Sequence, residues 1–121
     1  MGPEPEAVVV PPGGGTFFGN VEFLALSEDT SRFNLGIITL DPHSEGPPAH
    51  VHQHEDDSFF VLTGELEMEA SGESFAATPG TFVLIPPGVR HTFRNTTPQE
   101  TRFLNIHAPA GFDRRLMEPN D

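Results

Sequence analysis

Turn residues divide this chain into short segments that suit β-strands and leave little room for helices. Its 121 residues include 12 Gly and 13 Pro, and most of the apolar runs between them are five to nine residues long. The clearest run, ELEMEA at 65–70, alternates apolar and acidic side chains, as in a strand with one wet face. Ser71-Gly72 then favours a hairpin turn. The pattern predicts an all-β fold, a small antiparallel jelly roll.

Both ends of the chain depart from this strand pattern. Residues 1–15 are rich in Pro, Gly and Glu and predict a flexible N-terminal arm, which leaves 16–121 as a single domain. Within the arm, residues 8–10 (VVV) could add an edge strand to a partner subunit or form a loosely held tail. Residues 109–117 predict a short C-terminal helical segment that covers the barrel or its partner.

The strand at 32–40 and the phenylalanines indicate where the core lies. Along this strand Phe33, Leu35 and Ile37 alternate with the set Asn34, Gly36 and Ile38. Further strands are expected at 16–26, broken at Gly19-Asn20, and at 73–77, 81–85, 91–94 and 101–107. The phenylalanines expected first of all in the core, some of them also lining a pocket, are Phe59, Phe75, Phe82, Phe93 and Phe103.

Histidines and acids are concentrated in GPPAHVHQHEDDSFFVLTG at 46–64. His50, His52 and His54 occupy alternate positions, so in a strand they would project from one face. Neutral imidazole nitrogen followed by carboxylate oxygen suits a divalent metal. The acid could be Asp57, with Asp56 and Glu55 as alternatives.

A second segment, GTFVLIPPGVRHTFRN at 80–95, offers another ligand. A buried-type strand runs into the turn Pro86-Pro87-Gly88, and His91 begins the next strand. A histidine arriving from a distant strand would close a metal site inside a barrel.

Together the two segments resemble the paired signature motifs of the cupin superfamily. Residues that match the second motif in full are Gly80, Pro86, Gly88, His91 and Asn95. Residues that match the first are His50, His52 and Gly64, with Asp57 where the family usually has Glu and with Gly46 displaced toward His50. The resemblance implies a double-stranded β-helix (a jelly-roll barrel) and a homodimer. It also implies one metal ion inside the barrel mouth, with the ligands His50, His52, Asp57 and His91.

The remaining histidines receive different interpretations. His54 falls on a turn in the family pattern, so it is expected at the rim or beside a ligand rather than on the metal. His43 is expected in a solvated loop. His107 ends the last strand in phase with Phe103 and Asn105, where it could line the pocket mouth as an acid or base or pack as an ordinary strand residue.

The predicted function is that of a metal-dependent enzyme. The resemblance to quercetin-dioxygenase-like members implies dioxygenation of a small enol, polyphenol or diketone, with Asp57 and His107 as catalytic residues. Iron is the expected cofactor, and manganese, nickel, copper or zinc are alternatives. Two other functions stay open: a redox-neutral isomerase, lyase or cyclase acting on a carbonyl compound, or a module that binds a small ligand without turnover.

The amino-acid composition argues against several kinds of binding partner and excludes several kinds of catalytic group. The net charge of −12, with six Arg and no Lys, argues against nucleic acid and anionic membranes as partners and excludes a lysine Schiff base. Without Cys there is no thiolate ligand, and without Tyr there is no tyrosyl acid. No secretory signal is evident, so a cytoplasmic protein is expected. The expected partner is a small-molecule substrate.

Overall fold

The computed structural model describes residues 4–118, and strands dominate them. The elements are β1 (Thr16–Phe18), β2 (Val21–Ala25), β3 (Asn34–Leu40), β4 (Ser44–Glu45), β5 (Asp56–Thr63), β6 (Leu66–Ala70), β7 (Glu73–Ala77), β8 (Phe82–Ile85), β9 (His91–Asn95), β10 (Thr101–Ala108) and α1 (Phe112–Met117). The all-β class with a short C-terminal helix is confirmed. Residues 1–3 of the predicted arm lie outside the described residues, and flexibility of the rest stays a prediction.

The strands form two antiparallel sheets that face each other across one core. The larger sheet has the order β1-β2-β3-β10-β5-β8, and the smaller has the order β4-β9-β6-β7. Between them lie Phe59, Phe93 and Phe103, whose ring centroids are 5.3–5.7 Å apart. Burial of such rings provides much of the apolar stabilisation that a core of this size can have. No helix among residues 4–118 is long and apolar enough to cross a membrane.

The hairpin predicted at Ser71-Gly72 is present. Both residues have positive φ angles, 54° and 80°, as two-residue hairpin turns with the right twist require. β6 and β7 pair directly across it, from Ala70 opposite Glu73 to Leu66 opposite Ala77.

In β3 the buried side chains are not the alternate set that the hydrophobic pattern suggests but the other set. Asn34, Gly36 and Ile38 face inward, whereas Phe33 is exposed to 39%. The polar side chain of Asn34 can be buried because its Oδ1 accepts hydrogen bonds from the backbone N–H groups of Gly111 (3.0 Å) and Asp113 (3.3 Å). The structure thus uses a polar inward residue to hold the chain entering α1.

The prediction that Phe75 and Phe82 belong to the core is wrong. Their side chains are 38% and 58% exposed, and Phe82 lies opposite the exposed Phe60 on the outer face of the larger sheet. Phe17 and Leu84 are also exposed on this sheet. The homodimer that the family resemblance implies stays a prediction.

Asp113 anchors helix α1 to the loop after β2. Its Oδ2 accepts a hydrogen bond from the backbone N–H of Ser27 (2.8 Å), and its Oδ1 accepts one from the Ser27 hydroxyl. Burial alone would raise the pKa of Asp113, but these hydrogen bonds, with that from the backbone N–H of Arg114, hold it below its ordinary value. The carboxylate is therefore charged and satisfied in the folded state.

Asp113→Ala is expected to destabilise the protein by about 1–3 kcal/mol, because it leaves the Ser27 donors without an acceptor. Thermal unfolding at pH 7 should show a midpoint lower by about 5–15 °C. Since the folded state lowers the pKa of Asp113, its contribution is present above the unfolded value of about 3.9 and is lost as the pH falls through the folded value. The gap between parent and variant should thus shrink in acid. The exposed Glu118→Ala is the control, and equal midpoints for both variants would contradict this assignment.

Candidate metal centre

The two histidine segments are joined by a pair of backbone hydrogen bonds. The N–H of His50 donates to the carbonyl of His91 and the N–H of His91 donates to the carbonyl of His50, both at 2.9 Å. After this bridge, residues 51–55 form no strand, so the strand geometry that would have aligned all three histidines on one face does not extend beyond His50. His54 consequently leaves the face shared by His50 and His52 and is exposed.

The structure brings together the four residues that the sequence proposed as ligands. His50, His52, Asp57 and His91 each offer one ligand atom, and these atoms lie within 4.8 Å of one another. Asp57 and His91 are 2% and 1% exposed, and the other two are half-buried. Such a cluster could hold a metal ion, and ligation itself stays a proposal.

Among the three candidate acids, Asp57 is the one that joins the four-residue cluster. β5 turns Asp57 and Phe59 inward, and Asp56 therefore points outward and is exposed. Glu55 is buried but lies on the far side of His52, with its Oε1 3.3 Å from Nδ1 of that ring. His52, Glu55 and His107 form a second, overlapping set whose ligand atoms lie within 4.8 Å of one another.

Backbone carbonyls orient two of the imidazoles. Nδ1 of His50 lies 2.9 Å from the carbonyl of Pro48, and Nδ1 of His91 lies 3.0 Å from that of Val89. A carbonyl can only accept, so each Nδ1 carries the proton and each Nε2 keeps its lone pair for a metal. The sequence places both carbonyls two residues before the histidine, so each ligand segment supplies its own anchor.

Nitrogen atoms lie within 3.3 Å of both oxygens of the Asp57 carboxylate. Its Oδ2 lies 2.9 Å from Nε2 of His91 and 3.3 Å from Nε2 of His52. Its Oδ1 accepts a hydrogen bond from Nδ2 of Asn105 (2.8 Å) and lies 3.3 Å from Nε2 of His107. Burial alone would raise the pKa of Asp57, but the contacts with His91, His107 and Asn105 lower it overall, so the carboxylate is ionised.

Asn105 was not identified as a site residue from the sequence. It lies on β10 in phase with His107, and this shared phase was the available signal. Its amide also donates to the carbonyl of Ser58 (3.2 Å), so it fixes Asp57 against β5. A neutral donor at this place holds the carboxylate without adding charge.

Two features of the cluster fit a bound cation. Nε2 of His52 is buried and has no hydrogen-bond partner among the described residues. Nε2 of neutral His91 would direct a lone pair at an ionised oxygen 2.9 Å away, so a proton or a cation must lie between them. Burial lowers the pKa of His91, but the contact with Asp57 outweighs burial and raises the pKa overall. The position between these two side chains therefore favours a positive charge. Three imidazole nitrogens and one carboxylate oxygen form a suitable donor set for a divalent transition metal.

His107 lies beside this cluster and is capped by the helix. Its side chain is 3% exposed, and its ring stacks on Phe112 of α1 with centroids 4.0 Å apart and planes 14° apart. Burial lowers its pKa to about 4, despite the opposing effect of Asp57, so the ring is neutral at pH 7. The structure therefore places His107 within reach of the site, and its role as an acid or base stays a proposal.

A cavity of about 250 Å³ lies beside His52, and none of the phenylalanines expected in a pocket lines it. The lining residues are Val51, His52, Gln53, His54, Glu55 and Arg115. His54 lines this cavity and is exposed, and Arg115 reaches it from helix α1.

The family profile described as "Cupin domain" matches residues 36–107. Among curated proteins, a 75-residue match is 32% identical to "Polyketide synthase CurC" of Streptomyces cyaneus and covers 62% of this chain and 47% of that protein. An 84-residue match is 27% identical to "Quercetin 2,3-dioxygenase" of Bacillus subtilis (strain 168) and covers 63% and 25%. The chain thus spans about half or less of the length of these two relatives.

Among solved structures, the polyketide cyclase RemF from Streptomyces resistomycificus superposes with a TM-score of 0.65 at 26% identity, covering 73% of this chain and 63% of that one. The family profile covers the strands that carry the cluster, since its match begins in β3 and ends in β10.

Proposed function

Because this chain belongs to the cupin family, we propose that it is a metal-dependent enzyme that acts on a small enolisable compound, most simply as a dioxygenase. The observation that supports the proposal is the buried, ionised Asp57 facing imidazole nitrogens of His52 and His91, with the His50 ring beside them. A divalent metal held by these four residues would supply a Lewis acid and, if redox-active, electron transfer to dioxygen.

The residues around the cluster are suited to handle a substrate proton. An enol or phenol must lose its O–H proton to become electron-rich, and Asp57 is the nearest anionic acceptor to the ligand nitrogens. His107 lies 3.3 Å from Asp57 and can share that proton, because its ring is neutral. Asn105 keeps the carboxylate in place during this exchange.

The proposed substrate class follows from the site and from the named relatives. A flat, oxygen-rich enol presents vicinal or 1,3-related oxygens, which suit a metal that keeps one or two open positions. A quercetin dioxygenase among the relatives supports a polyphenol or a diketone as the starting point for assays.

A redox-neutral cyclase is the second candidate. It is favoured by the 32% identity to a protein named as a polyketide synthase component and by the 26% identity to a polyketide cyclase. In this reaction the metal would polarise a carbonyl, and Asp57 and His107 would move a proton between carbon and oxygen without net oxidation.

Dioxygen dependence separates the two candidates. Protein loaded with Fe²⁺ should consume dioxygen in step with the loss of quercetin or a 1,3-diketone, and should be inactive under nitrogen. Equal turnover under nitrogen with Zn²⁺ would reject the oxygenase and support the cyclase. A ligand recovered unaltered under both conditions would indicate the binding module instead.

A further inference from the structure

Glu55 is a buried acid that lies next to the cluster without belonging to the four-residue set. Its side chain is 7% exposed, and its Oε1 lies 3.3 Å from Nδ1 of His52 and 2.5 Å from Nη2 of Arg115. A buried carboxylate needs a charged or donating partner, and Arg115 provides one from helix α1. These contacts connect helix α1 to a ring of the candidate metal centre.

His52 differs from the other two histidines in how its ring is held. His50 and His91 each place Nδ1 against a backbone carbonyl, at 2.9 and 3.0 Å. His52 lies in the segment 51–55, which forms no strand, and Glu55 occupies the place that a carbonyl occupies for the others. The opposite nitrogen, Nε2, is buried and faces the cluster without a hydrogen-bond partner among residues 4–118.

We propose that Glu55 and Arg115 are positioning residues: Arg115 holds the Glu55 carboxylate, and Glu55 keeps the proton of His52 on Nδ1, so that Nε2 points to the metal. Helix α1 thereby completes the centre from outside the barrel. This inference rests on the proposed metal site, although the state of the His52 ring can be tested without metal.

The two carboxylates contact opposite ends of the same ring, which favours positioning over ligation by Glu55. Asp57 lies at Nε2 of His52, on the side of His91, whereas Glu55 lies at Nδ1, on the side of Arg115. A carboxylate at Nδ1 also raises the basicity of a ligand imidazole.

The first test is the tautomer of His52 in the metal-free protein at pH 8, read from its imidazole ¹⁵N chemical shifts. The parent should show the proton on Nδ1, and Glu55→Ala should move it toward a mixture or toward Nε2. Glu55→Gln should retain the parent tautomer, because an amide oxygen at this place can also accept from Nδ1. The His50 ring, anchored by Pro48, is the internal control and should not change.

The second test is the affinity for Zn²⁺, measured by competition with a chelating dye. Glu55→Ala should bind about 10–100-fold more weakly than the parent, with Glu55→Gln between the two. Arg115→Met should weaken binding by a smaller factor, and the double variant with Glu55→Ala should be no weaker than Glu55→Ala alone. Arg114→Met, the neighbouring exposed arginine on the same helix, should stay within about twofold of the parent.

Two outcomes would overturn the positioning role. The first is an unchanged His52 tautomer in Glu55→Ala; if the zinc affinity fell at the same time, Glu55 would be a ligand and not a positioning residue. The second is a zinc affinity equal to that of the parent in both Glu55 variants. Failure of the parent itself to bind any metal would reject the proposed function, while the tautomer of His52 would still decide whether Glu55 positions the ring.

Discussion

His91→Ala should abolish metal retention, reducing the metal content from about one ion per chain to near zero after dialysis. His91 is the most buried of the four proposed ligands, and its Nε2 lies 2.9 Å from the ionised Asp57. Removing the ring takes away a donor and leaves the carboxylate with fewer partners. The loss of metal affinity should exceed the loss of about 10–100-fold that follows when a residue holding a ligand from the outer shell is removed. Elemental analysis of purified, reconstituted protein measures it.

Because His91 also packs against Phe59, with ring centroids 6.3 Å apart, its loss could affect folding. His50→Ala provides a second variant, since that side chain is only half-buried and lies nearer the mouth. Circular dichroism should show folded protein for His50→Ala, with metal lost. His54→Ala is the matched control, because His54 is exposed and lies outside the cluster. Equal metal content in all three variants would refute the assigned ligands.

Gly46→Ala should destabilise the fold by more than about 3 kcal/mol, one of the largest effects expected from a single methyl group in this chain. A Cβ at Gly46 would lie 1.8 Å from the carbonyl oxygen of Phe93, which is rigid backbone in β9. β4 would have to move away from β9, and the pairing of Glu45 with Arg94 would be lost. Thermal unfolding should show a midpoint lower by at least about 10 °C.

Gly72→Ala is the control for Gly46→Ala. Gly72 has a φ of 80°, so alanine there is strained, but nothing lies within 4 Å of its added Cβ. Its expected cost is about 1 kcal/mol. A Gly46→Ala midpoint equal to that of Gly72→Ala would show that the contact between β4 and β9 is looser than described.

Local patterns were sufficient to predict most strands and the composition of the cluster. The alternation at 65–70, the turn at Ser71-Gly72 and the spacing of His50 and His52 each depend on neighbours in sequence, whereas His91 was added by a second motif. The structure bears out the strands and brings the three histidines together. The departure of 51–55 from strand geometry was not predictable from the alternation of histidines, which continues through His54; only the family pattern placed His54 on a turn.

Other features depend on contacts between distant segments. The inward face of β3 is set by Asn34, whose partners lie in the residues that lead into and begin α1. The link from Glu55 to Arg115 likewise joins segments 60 residues apart. Exposure of Phe82 follows from its place opposite Phe60 on the outer face of the larger sheet, a place that hydrophobicity alone does not show. Such pairings carry no local signal in a single sequence.

The reciprocal bridge between His50 and His91 has a consequence for the order of events during synthesis. The ribosome completes the first ligand segment well before the second exists, so the nascent chain then holds only the first of the two ligand segments. If the four residues bind a metal as proposed, the complete set of ligands exists only once His91 has paired with His50, so the full site would form late in folding. Metal loading would then be limited by how fast the distant strands find each other and by which ion is available at that moment.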